Sequence, residues 1–331
     1  MGYGIRQWNP DNGGLILDTQ VDTVNRVFDT VTLNENAGSL TDARFAAGVP
    51  FAAIVPYSST SQNHPKQFSF SGNTMSWTGG PPCSVMYGVG AGNTSYNPVT
   101  NGTRAGFQCR TEDGSAITLD ETMFALQLIG RGTVSAGSGE AATADVYCPD
   151  GKTPVIAVRN SGNASIYLAG VVMIDATTCR ITFGPIVPNT IDWYAFGKVY
   201  PALSRGIGAR WYDSTGTLMG DTSVPVMRIL RANLVFNMTA GNEADFTEPA
   251  GKKIAVVINE PGFYLHKSAA GGGAGGTGSA GVTIYRAAIR SLNDNSFRAS
   301  AALIFSSSAG GTNEIRIETN AKFSTVDVTN L

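Results

Sequence analysis

Charge is scarce in this sequence. Of its 331 residues, 15% are Asp, Glu, Lys or Arg, against roughly 25% in ordinary soluble domains. The net charge is −2, so the chain as a whole carries no basic field. That removes most of the counterion-release term on which nucleic-acid binding depends. No run of eighteen apolar residues occurs, so no helical membrane span is expected. Met1-Gly2-Tyr3-Gly4 has neither the basic start nor the apolar stretch of a secretory signal. Arg6 stands where a myristoylation site needs Ser or Thr.

Chemistry-bearing residues are equally sparse. The four cysteines, Cys83, Cys109, Cys148 and Cys179, are too few for a disulfide framework and share no metal-type spacing. Free, buried thiols in a reducing compartment are expected. The two histidines, His64 and His266, lie far apart, and there is no H-E-x-x-H pair. Neither a G-x-S-x-G elbow nor a P-loop is present. The expectation is a protein without catalytic centre, cofactor or metal.

Glycine is abundant, with forty residues, and its placement organises the chain. A short cassette begins at Gly4, Gly106 and Gly208, with 106 − 4 = 102 and 208 − 106 = 102. Each copy reads as a strand, a polar turn with Gly, a second apolar strand and an Asp: Asp18, Asp120 and Asp221. The turn glycine accepts positive φ without a Cβ clash, so each cassette predicts a β-hairpin. The recurring Asp is expected to accept backbone N–H bonds where the chain turns.

A second landmark keeps step with the first. Gly48, Gly151 and Gly251 each precede a continuous apolar run, the pattern of a strand buried on both faces. Two landmarks in one order, three times each, predict an internal repeat of about 100 residues. With short, closely spaced strands and little helical periodicity, the fold class expected is all-β. Three tandem β-sandwich domains, Ig-like or Greek-key, would span residues 1–92, 105–200 and 207–331. Residues 93–104 and 201–206 read as linkers, and a small Greek-key barrel is the alternative. Predicted strands include Leu40 to Phe45, the Phe68–Trp77 hairpin about Gly72-Asn73, Met123 to Ile129, Val226 to Met238 and Ile284 to Leu292. Glu314 to Ile317 and Val326 to Val328 read as two further strands.

The third copy alone carries a glycine-rich insertion over 269–281. Gly273 to Gly278 fits G-x-G-x-x-G, but a nucleotide site needs a helix to follow, and Val282-Thr283-Ile284-Tyr285 reads as strand. The insertion is either a plain loop tip or a contact loop. As a contact loop it makes Gly271, Gly272, Gly273, Gly275, Gly276, Thr277, Gly278, Ser279 and Gly281 the candidate partner- or receptor-binding residues. Trp8, Trp77, Trp193 and Trp211 could stack on sugars, but recurring aromatics in a repeated fold predict core positions.

The opening cassette, with Leu15-Ile16-Leu17-Asp18-Thr19, the Phe70–Trp77 hairpin and Tyr87-Gly88-Val89 together carry a resemblance. They resemble small β-domain proteins of long-tailed, siphovirus-type bacteriophages, encoded among tail tip and tail fibre genes. The resemblance is best over the first copy; the second has Cys109-Arg110 where the first has tryptophan. It implies a structural virion protein of a tail tip, baseplate or fibre, assembled in the host cytoplasm. Other tail proteins and a host cell-surface receptor are the partners it implies, without nucleic acid or membrane insertion. A homo-oligomer, threefold by preference, fits the weakly charged surface. The rival expectation is a carbohydrate-binding or glycan-cleaving, tailspike-like protein.

Overall fold

The computed structural model describes residues 6–8, 15–18, 26–55, 57–58, 66–92, 106–110, 116–120, 124–137, 141–148, 150–160, 162, 164–185, 189–198, 210–212, 216, 218–221, 224–267, 281–308, 315–329 and 331. It is all-β, with one 3₁₀ turn at Ala43–Ala47 and no α-helix among the described residues. Residues 1–92 hold β1 (Arg6–Trp8), β2 (Leu15–Asp18), β3 (Arg26–Leu33), β4 (Ala37–Thr41), β5 (Gly48–Ile54), β6 (Tyr57–Ser58), β7 (Gln67–Ser71), β8 (Thr74–Thr78) and β9 (Cys83–Gly92). Residues 105–200 hold β10 (Gly106–Arg110), β11 (Ala116–Asp120), β12 (Phe124–Ala125), β13 (Gln127–Ala136), β14 (Ala142–Tyr147), β15 (Val155–Asn160), β16 (Ile166–Met173), β17 (Thr178–Pro185) and β18 (Asn189–Gly197). Residues 207–331 hold β19 (Arg210–Tyr212), β20 (Leu218–Asp221), β21 (Ile229–Phe236), β22 (Glu243–Thr247), β23 (Ile254–Lys267), β24 (Gly281–Asn293), β25 (Ser296–Ser308) and β26 (Ile315–Asp327).

The three cassettes pair as antiparallel two-stranded units: β1 with β2, β10 with β11, and β19 with β20. Of the cassette turns, Gly216 is described and takes φ +83°. Leu40 to Phe45 is not one strand. β4 stops at Thr41, and Asp42 accepts the Arg44 N–H at 2.9 Å to start the 3₁₀ turn. Met123 to Ile129 is split between β12 and β13, and the two strands expected near the C-terminus are one, β26. Gly72 turns the β7–β8 hairpin with φ +55°, as a first hairpin position with positive φ requires.

After its cassette, each segment has six long strands that pair in one order. The first pairs with the sixth and the sixth with the third: β3–β9–β5, β13–β18–β15 and β21–β26–β23. The second pairs with the fifth and the fifth with the fourth: β4–β8–β7, β14–β17–β16 and β22–β25–β24. In the first segment the two layers close on Phe28, Phe68, Met75, Trp77, Val85 and Tyr87. The second and third segments share one larger inner cluster, which includes Ile156, Phe183, Trp193, Val256, Phe297 and Phe323.

The apolar runs are explained by a further cluster. Phe51 of β5, Val155 and Ala157 of β15, and Ala255 and Val257 of β23 meet there, with Met86, Tyr194, Phe196 and Val326 from the sixth strands. Their neighbours Ala52, Ile156, Val158, Ile254 and Val256 face the inner clusters instead. Successive strand residues point to opposite faces, so a strand with a core on each side must be apolar throughout. Each fully buried Val, Ile, Met or Phe of this kind stabilises by roughly 1.5–3 kcal/mol.

All three segments touch one another. β15 pairs with β23, and β16 with β24 at Ile166–Ile289. β6 lies on β16 and β12 on β3. Between the first and third segments, the Asn233 side chain donates to the Pro50 carbonyl at 2.7 Å. Strands of the second and third segments thereby join one continuous hydrogen-bonded sheet.

Candidate interaction site

The third segment departs from the pairing pattern at one place. β23 to β26 run 14, 13, 13 and 13 residues, against 10 or fewer for the long strands of the other segments. Their extra lengths form a four-stranded arm in the order β26-β23-β24-β25. Phe263–Lys267 pair with Ile315–Thr319 on one side and with Val282–Arg286 on the other, while Gly281–Ile284 pair with Phe305–Ser308. Among the described residues the third and fourth strands pair with each other only here; β5 does not pair with β7, nor β15 with β16.

Local sequence sets the point of departure. Pro261 has no backbone donor, and Gly262 takes φ +58°. A Cβ at Gly262 would sit 2.7 Å from both Met238 Cγ and Ala321 Cβ, so glycine is required by conformation and by space. β21 ends at this level, with Phe236 opposite Ala321.

The arm is braced by rings. Tyr264 packs against Tyr285 with centroids 5.5 Å apart and against His266 at 6.5 Å. On the opposite face the Arg286 guanidinium lies 4.8 Å above the Phe263 ring, an attractive cation–π geometry. Leu303 is 49% exposed.

Lys267 pairs with Val282 and with Ile315, and Gly281 pairs with Ser308. Lys267, Gly281, Ser308 and Ile315 therefore lie at the same end of the arm. Of the candidate residues, Gly271, Gly272, Gly273, Gly275, Gly276, Thr277, Gly278 and Ser279 lie outside the described residues. Gly281 opens β24, so a strand and not a helix follows the G-x-G-x-x-G match. The sequence reading overlooked the second connection at this end. Its signal was Ala309-Gly310-Gly311-Thr312 between two apolar runs.

Compared with protein-family models, with curated proteins and with solved structures, the chain finds no match.

The other singled-out residues are structural in their surroundings. Trp77 and Trp193 are 9% and 7% exposed, inside the inner clusters, and offer no stacking platform. The side chains of Trp8 and Trp211 are outside the described residues, as are those of Asp18 and Asp120. Asp221 is buried and its carboxylate receives Arg210 Nε at 2.5 Å. Its backbone N–H donates to Gln127 Oε1 at 2.9 Å, which ties the third cassette to β13. Cys148 and Cys179 are buried free thiols and Cys83 is half-buried. Among the described residues no group of three or more His, Cys, Asp or Glu could hold a metal ion. No helix there is long and apolar enough to cross a membrane. A small apolar pocket of about 20 Å³ lies where Ala53–Val55, Pro154–Ile156 and Val257–Ile258 approach one another.

Proposed function

We propose that this chain is a structural virion protein of a bacteriophage tail tip, baseplate or fibre, built as three tandem β-sandwiches and without catalytic activity. The arm of the third sandwich is its contact element. It meets the host cell surface or a neighbouring tail protein through Gly271–Gly281. The observation that carries this reading is the arm itself. One of three similarly paired segments is prolonged into a braced four-stranded extension, and in the sequence the glycine-rich stretch lies between two of its strands.

A glycine-rich segment suits this role physically. Its backbone N–H and C=O groups can approach a partner without steric obstruction, and loops on a rigid scaffold commonly carry binding. The low charge of the chain suits broad packing among neighbours in a virion, as a homo-oligomer with other tail proteins. The glycan-binding rival loses two of its four tryptophans, since Trp77 and Trp193 are buried.

Negative-stain imaging of virions labelled with an antibody to this chain tests the reading. Label at the distal tail is expected. Label on the capsid, or none on intact or disrupted particles, would overturn it.

A further inference from the structure

Two cysteines meet at the end of one strand pair. In the β14–β17 ladder Val146 lies opposite Cys179 and Tyr147 opposite Thr178, and the Cys148 N–H donates to the Thr177 carbonyl at 2.6 Å. Cys148 and Cys179 are therefore diagonal neighbours, and strand alternation turns both side chains to the same face. Both are fully buried in the inner cluster, and their thiols hydrogen-bond to each other. Cys83, the third free thiol described, lies in the first segment near Lys66.

The same place in the sibling segments is held by charge. The matching ladders end at Thr41 opposite Thr74, Tyr147 opposite Thr178 and Thr247 opposite Ser296. The next residue then donates its N–H across: Asp42 to Asn73, Cys148 to Thr177 and Glu248 to Asn295. Asp42 is paired with Arg44, and Glu248 with Arg231. One rung back, the residues that match Cys179 are Met75 and Phe297, both buried. The second segment thus puts sulfur on both ends of a diagonal where its siblings have a carboxylate and an apolar side chain.

We infer that Cys148 and Cys179 close to an intrachain disulfide when the chain meets a small-molecule disulfide oxidant such as oxidised glutathione. Cys148 directly follows the last residue of β14, the exposed Tyr147, and precedes the turn at Gly151 with its φ of +65°. Fraying of that strand end admits the oxidant. Cys148 is the attacking group: the hydrogen bond from Cys179 holds its thiol below the ordinary value, while the same contact and burial push the Cys179 thiol up. The Cys148 thiolate, its proton lost to water, attacks one sulfur of the oxidant and expels the first glutathione as thiolate. Cys179 then loses its proton, attacks the Cys148 sulfur of the mixed disulfide and expels the second glutathione. The two cysteines give up two electrons and two protons, and one glutathione disulfide becomes two glutathione thiols. A reducing compartment keeps the pair as thiols and an oxidising one closes it. The bond ties the end of β14 to β17 where the siblings use ion pairs. This inference goes beyond the proposed function and does not rest on it.

Incubation of the full, folded chain with oxidised glutathione tests it, followed by alkylation of remaining thiols, digestion and mass spectrometry without reductant. The wild type should yield a Cys148–Cys179 linked peptide that dithiothreitol removes. The double variant Cys83→Ser with Cys109→Ser should yield the same peptide, which shows that it does not arise by exchange with the other two cysteines. Both readings are taken on chains that keep the β-sheet circular dichroism spectrum, and the wild-type reading needs no variant at all. Recovery of Cys148 and Cys179 as alkylated thiols, or as stable glutathione adducts, would overturn the inference. So would a link from either of them to Cys83, to Cys109 or to a second chain in place of the internal bond.

Discussion

Glu260 holds the edge of the first segment by its backbone: Oε1 accepts the Phe68 N–H at 3.2 Å. The same oxygen accepts from the Lys322 ammonium at 2.7 Å, and Lys322 in turn donates to the Phe68 carbonyl. A Glu–Lys pair thus does for β7 what a neighbouring strand would do. Glu260 is buried and Lys322 half-buried, and among the described residues Glu260 Oε2 has no hydrogen-bond partner. Burial pushes the Glu260 carboxyl from 4.5 up to about 7, although Lys322 and the Phe68 N–H pull the other way.

The linkage sign follows from that rise. Between about 4.5 and 7 the folded chain keeps a proton that the unfolded chain has released. Stability from this group is fully present below 4.5 and is lost as pH rises through 7, by about 3 kcal/mol in all. The aspartates held low by their partners, such as Asp42 beside Arg44, act at lower pH, below 3.8. Urea unfolding at pH 5 and pH 7 should show this decline in the wild type. Glu260→Gln should flatten it; an equal slope in both proteins would rule Glu260 out as its source.

Gly132 lies opposite Trp193 in the β13–β18 ladder, and the indole covers it. A Cβ there would sit 2.9 Å from Trp193 Cζ2. Gly132→Ala must displace a ring packed in the core, at a cost of about 1–3 kcal/mol. Chemical denaturation should report that loss, with a red shift of tryptophan emission. A neutral substitution would mean that the ring has room to move.

The central cluster is shared by all three segments. Phe196→Ala, at a fully buried position, should cost about 3–5 kcal/mol. Because the segments bury this core jointly, heat should unfold them in a single calorimetric transition. Two or three resolved transitions in the wild type would show that the segments fold independently.

Replacing 271–280 by a short Asn-Gly turn should leave the fold intact, because Gly281 and its pairing with Ser308 are kept. Ordering a glycine segment costs roughly 1–2 kcal/mol per residue, so a partner contact that orders it must be substantial. Phage with the shortened loop should adsorb to cells more slowly or assemble poorly. Normal assembly and normal adsorption together would make the segment a spacer.

Much of the local architecture was legible in the sequence. The cassettes at Gly106 and Gly208 declared paired strands because turn glycine and flanking apolar alternation are local signals. The runs after Gly48, Gly151 and Gly251 declared strands buried on both faces, and β5, β15 and β23 are such strands. The 3₁₀ turn at Ala43–Ala47 was missed, since its apolar Phe45 reads equally well as strand. The joining of β26 was missed because Thr319, Asn320 and Lys322 look like a polar break. In the sheet Lys322 is tied to Glu260 and Phe68, which the local sequence does not disclose.

What the sequence by itself determined is periodicity: which residues alternate, where glycine must turn the chain, and that the pattern comes three times. What covers each face was decided only by the tertiary structure. Val257 and Val256 are equally apolar neighbours, yet one faces the central cluster and the other the inner one. Strand alternation fixes that they point apart, but the identity of each core depends on strands a hundred residues away. The arm is the same case. A longer apolar run states that a strand is long; only the tertiary structure decides which strands the extra length pairs with.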